Sequence, residues 1–96
     1  MVLKIIWSQA AIDTYIANIQ YLEKEWTNKE VRNFIDTVQN KLQALSIHPD
    51  LGKSTGKRIG LRQIVVNKRI VMFYRYKPLK KEIQLVYFFN THQKPK

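Results

Sequence analysis

Cysteine is absent from these 96 residues. That excludes a disulfide framework, a thiolate nucleophile and a metal site built on sulfur. Histidine is nearly absent: His48 and His92 are the only two, so no metal centre and no bound cofactor are expected. No apolar run approaches the ~18 residues that span a bilayer, and the opening MVLKIIW is too short for a signal peptide. The chain is therefore expected to be soluble and cytoplasmic, with no membrane contact. Glycine and proline number three each, too few for a linker or a low-complexity tract. Acidic residues are also scarce. Seven Asp and Glu stand against 17 Lys and Arg, which leaves little material for a paired-carboxylate hydrolase.

What is present is a division of charge. Residues 1–48 hold five Lys or Arg and five Asp or Glu, and so are neutral. Residues 49–96 hold twelve Lys or Arg against Asp50 and Glu82, so the whole formal charge of +10 lies there. A neutral half and a basic half suggest a scaffold and a face that meets an anion: nucleic acid, ribosome surface or an acidic protein. With 45% apolar residues, the chain can form one domain, 1–96, with a modest core. Such a domain is marginally stable without a partner.

VLKIIW, at 2–7, reads as a short strand. Ser8 stands where an N-cap belongs, and Ile12, Tyr15, Ile16, Ile19, Leu22 and Trp26 recur at helical spacing behind it. Thr27 and Glu30 form a capping box. A second helix comes next, with Val31, Phe34, Ile35, Val38, Leu42 and Leu45 on one face, and Pro49 stops it. His48, at that helix end, fits a structural role beside the dipole. Residues 50–60 read as a loop made flexible by Gly52, Gly56 and Gly60. Gly52-Lys53-Ser54 lacks the upstream glycine of a phosphate-binding loop. The period then changes to two, in LRQIVV, RIVMFYRY and EIQLVYFF. Asn67-Lys68 suits a tight hairpin, with Asn tolerating positive φ. The expected fold is α+β, in the order β-α-α-β-β-β: an antiparallel sheet, with the first strand added to it and a helical hairpin packed on one face.

The candidate functional residues lie in the basic half. Lys53, Lys57, Arg58, Arg62, Lys68, Arg69, Arg75 and Lys77 are placed to hold phosphates. Tyr74, Tyr76 and Tyr87 lie on the strands, where aromatic rings stack on unpaired bases or pack as ordinary sheet residues. His92, after the last strand, is a candidate acid or base. RNA cleavage through the 2′-OH needs positioning, charge stabilisation and a proton acceptor, and no metal.

Taken together, the chain resembles the toxins of the RelE/ParE superfamily of type II toxin–antitoxin, or plasmid stabilisation, systems. The resemblance rests on Trp7, Ser8 and Ala11, on the segment from Tyr15-Ile16 to Trp26, and on Leu42, Leu45, Pro49 and Gly52. It continues with Arg62, Phe73-Tyr74-Arg75, Phe88-Phe89, Gln93 and Pro95. It implies a small toxin neutralised by a cognate acidic antitoxin whose partly disordered segment wraps over this surface. The toxin would be a homodimer or part of a toxin–antitoxin hetero-oligomer. RelE-like members cleave mRNA on the ribosome; ParE-like members poison DNA gyrase and are not nucleases. In the RelE-type site, one basic position falls on Arg62 and a late one close to His92. The central arginine position falls on Val71, two residues from Arg69, and no tyrosine follows Tyr87. Arg62, Arg69 and His92 are thus the expected catalytic set, with Lys53, Lys57, Arg58, Arg75, Tyr74 and Tyr87 on the nucleic acid. The expected activity is inhibition of translation by a metal-independent endoribonuclease acting on ribosome-bound mRNA. The alternative is gyrase poisoning.

Overall fold

Ser8 turns the chain from strand into helix. Its backbone is extended, at φ −72° and ψ 164°, and its Oγ accepts the Ala11 N–H at 2.9 Å. In this computed structural model, which describes residues 2–56 and 58–91, strand β1 (Lys4–Trp7) leads through Ser8 into helix α1 (Gln9–Glu25). Thr27 caps helix α2 (Asn28–Ile47), with Oγ1 accepting from Glu30 N–H at 3.4 Å. A two-residue strand β2 (Lys53–Ser54) comes next, then β3 (Leu61–Val65), β4 (Ile70–Lys77), a short 3-10 turn at Pro78–Lys80 and β5 (Glu82–Asn90).

The five strands form one sheet in the order β1-β5-β4-β3-β2. The pairs β2–β3, β3–β4 and β4–β5 are antiparallel, as expected, but β1 pairs parallel with β5, so the sheet is mixed. The reason lies in the helix joined to β1. The strand covers only Glu82–Leu85 of β5, and α1 then continues along the uncovered remainder. There Ser8 N–H donates to Leu85 O, Ser8 Oγ donates to Val86 O at 2.8 Å, and Phe88 N–H donates to Thr14 Oγ1 at 2.8 Å. A helix thus satisfies backbone groups that an open sheet edge would leave bare.

The expected stripe on α1 is corrected in part. Ala11, Asn18 and Leu22 are buried, with Tyr15 and Ile19 packed against the core, whereas Ile12, Ile16 and Trp26 are exposed. The Tyr15 ring sets this rotation, lying 5.1 Å from Trp7, 5.4 Å from Phe88 and 5.5 Å from Phe34. On α2 the buried face is as expected at Phe34, Val38, Leu42 and Leu45. These residues meet Ile64, Ile70, Met72, Ile83, Leu85 and Phe88 in one core between the helices and one sheet face. Two turn details also differ from expectation. The loop expected at 50–60 contains β2, paired through Lys53–Gln63 and Ser54–Arg62. Asn67 closes the β3–β4 hairpin through its side chain, with Oδ1 accepting from Arg69 and Ile70 N–H, and without positive φ.

Candidate functional site

The helices cover one face of the sheet and leave the other open. Strand register divides that outer face into rows. One row runs Val65–Val71–Phe89. The next runs Lys53–Gln63–Phe73–Tyr87, in which Phe73 and Tyr87 stack with centroids 4.7 Å apart. The third runs Leu61–Arg75–Gln84–Ile6. A hollow of about 420 Å³ opens over the middle row, lined by Thr55, Arg58, Leu61, Gln63, Phe73 and Tyr87. Of the nine candidates, Lys53, Arg58, Arg75 and Tyr87 are brought to this face. Cations beside a stacked aromatic pair can hold an anionic strand or an acidic segment.

Tyr74 is not available there. It points to the inner face and is fully buried, so its assignment to base stacking is corrected. Its hydroxyl accepts the Gly52 N–H at 2.8 Å and donates to Pro49 O at 2.8 Å, tying the end of α2 to the sheet. Burial pushes the phenol above its ordinary pKa of 10.0, against the opposing pull of the Gly52 N–H and the Arg62 guanidinium. Gly52 is therefore no flexible hinge. A Cβ there would lie 2.6 Å from Tyr74 Cε1 and 2.7 Å from Gln63 O. Left-handed backbone, which favours glycine, occurs instead at Gly56 and Gly60.

The expected catalytic arginines are not assembled with one another. Arg62 lies in the inner row with Tyr74, where it donates to Gly52 O at 2.7 Å and pairs with Asp50 at 3.8 Å. Arg69 sits at the hairpin, its guanidinium 4.3 Å above the Trp26 ring and its Nη1 donating to Tyr21 Oη at 3.3 Å. Arg62 is engaged by the segment that follows α2, Arg69 by α1 and its C-cap. His92 and Lys57 lie outside the described residues. Phe73, Gln63 and Gln84 are outer-face residues absent from the expected set. Strict alternation along β4 was the signal for Phe73, since it separates Phe73 and Arg75 from Tyr74.

The architecture is thus a helical hairpin backing a mixed sheet with a basic, aromatic outer face. The same fold occurs in a chain of the chromosomal ParDE toxin–antitoxin system of P. aeruginosa, at TM-score 0.75 and 13% identity over 95% of this chain and 98% of that one. It occurs in the YoeB dimer of Staphylococcus aureus, at TM-score 0.66 and 16% identity over 97% and 100%. The RelBE2 toxin–antitoxin complex of Mycobacterium tuberculosis gives TM-score 0.64 and 12% identity over 94% and 99%. No curated protein sequence matches the chain. Residues 5–95 match the sequence pattern described as the ParE toxin of the type II toxin–antitoxin system parDE. The protein belongs to the ParE toxin family of type II toxin–antitoxin systems.

Proposed function

We propose that this toxin arrests cells by binding a protein target, DNA gyrase, rather than by cutting RNA. The carrying observation is the separation of Arg62 and Arg69: the first is bound to Gly52 and Asp50, the second to Trp26 and Tyr21. Membership of the ParE family supports the same reading. The one carboxylate among the described residues of the outer-face rows is Glu82, which lies between Lys77 and Lys4, two rows from the Phe73–Tyr87 stack, and accepts from Gln84 Nε2. In this reading the basic face serves binding. It seats the acidic segment of an antitoxin, which the +10 charge draws in and which neutralises the toxin.

A second reading has its own observation. The Phe73–Tyr87 stack, flanked by Lys53, Arg58 and Arg75, suits a single-stranded RNA and supports ribosome-dependent mRNA cleavage. Two assays with purified protein separate the two. Gyrase supercoiling reactions should accumulate double-strand-cleaved plasmid, while primer extension on mRNA from translating ribosomes should show no new 5′ ends. New 5′ ends within the coding region, with gyrase unaffected, would establish the cleavage reading instead.

A further inference from the structure

Arg75 stands on the outer face with no acceptor among the described residues. Its Nε is buried and unpaired, and no described carboxylate or carbonyl meets its guanidinium. Arg62 and Arg69 both have partners within the fold. A guanidinium does not shed its proton, so half-burying one unpaired costs free energy that an arriving anion recovers. Beside it opens a hollow of about 230 Å³, lined by Ile6, Ser8, Arg75, Gln84, Leu85 and Val86. The hollow exists because the β4–β5 register slips. Phe73 pairs with Tyr87 but Tyr74 pairs with Leu85, so Val86 is the extra residue of a bulge. Helix α1 starts at its rim with no acidic residue in the first turn, which adds to the positive potential.

We propose that this hollow is a carboxylate subsite, taking one Asp or Glu side chain of an acidic partner segment. Arg75 grips the carboxylate as a planar fork, and Ile6, Leu85 and Val86 pack on its methylene stem. A phosphodiester is the poorer occupant. It carries two sugar substituents where a side-chain carboxylate carries a single methylene stem, and the next row of the face holds the Glu82 carboxylate, between Lys77 and Lys4, with its Oε1 accepting from Gln84 Nε2 at 2.9 Å. The partner is the proposed antitoxin, and the subsite rests on that reading. The test uses free carboxylate, so failure here leaves the antitoxin reading untouched.

The test is a titration of the 15N-labelled full chain, tracked at the Arg75 Nε–Hε resonance. One arm uses N-acetylglutamate amide, the other dimethyl phosphate, at matched ionic strength. The carboxylate should give a saturable downfield shift, and dimethyl phosphate a response at least roughly tenfold weaker. Arg75→Lys, which keeps the charge but not the fork, should abolish the saturation. Arg75→Met removes an unpaired guanidinium, so it should raise the melting temperature of the free chain by roughly 4 °C or more. A stronger response to dimethyl phosphate would make this a nucleic-acid subsite and overturn the proposal. So would the absence of saturation in both arms, or a lowered melting temperature in the Met variant.

Discussion

The Tyr74 hydroxyl does more for this fold than any basic residue around it. It accepts from Gly52 and donates to Pro49, and its ring leaves no room for a side chain at position 52. Tyr74→Phe strands a buried N–H and a carbonyl, and should cost ~1–3 kcal/mol in urea unfolding. The pH dependence comes from the raised phenol pKa. The unfolded chain loses the proton near pH 10 while the native chain still holds it. The contribution is therefore full below about pH 10 and lost as pH climbs through the native value. Melting temperature should fall as pH is raised past the ordinary phenol value for the native chain, and less for Tyr74→Phe. Gly52→Ala should be worse than either, at ~3 kcal/mol or more, because its Cβ meets backbone oxygen as well as the ring. Arg62→Ala should lower stability by ~1 kcal/mol through loss of the Gly52 carbonyl bond. Its ion pair adds little, since the Asp50 side chain is 83% exposed. If Arg62 is structural, toxicity in cells should persist in this variant at matched folded-protein levels; toxicity lost with the fold intact would restore Arg62 to the active face.

Elements dock here through polar groups as much as through oil. Thr14 receives the Phe88 N–H, and Ser8 both caps α1 and reaches Val86. Thr14→Val keeps shape and removes the acceptor, so it should cost ~1–2 kcal/mol and speed amide exchange at Phe88. Unchanged exchange there would show that α1 does not seal the β5 edge. The helices were legible from capping and periodicity, because Ser8, Thr27 and Pro49 mark boundaries by local chemistry. The rotation of α1 was not legible. Six apolar residues at helical spacing define a broad stripe, and only the aromatic cluster of Tyr15, Trp7 and Phe88 decides which edge of it turns inward. Likewise β2 was hidden, since two residues that pair with Gln63 and Arg62 carry no pattern of their own.

For the molecule as a whole, charge sets how partners arrive rather than how tightly they hold. With +10 concentrated in the sheet half, association with an acidic antitoxin should slow by roughly 10-fold or more between about 50 and about 500 mM salt. Dissociation should change far less, because it depends on buried contacts. Stopped-flow mixing across that salt range measures both. An association rate indifferent to salt would remove the basic face from the encounter.

Sequence alone determined the class of fold and the order of its main elements, because capping and periodicity are local properties that survive without coordinates, and the family through the match over residues 5–95. Alternation along β4 separates Arg75 from Tyr74, but the expected set places both on the nucleic acid, and only burial of Tyr74 tells them apart. Only the tertiary structure decided which basic residues share a surface. Arg62 and Arg69 look alike along the chain, yet one is claimed by Gly52 in the segment between α2 and β2 and the other by Trp26 at the end of α1. The parallel placement of β1 and the bulge at Val86 were decided there too. Both arise from long-range pairing, where groups far apart in the chain, such as Ser8 and Val86, compete for the same backbone, and no local pattern records which of them wins.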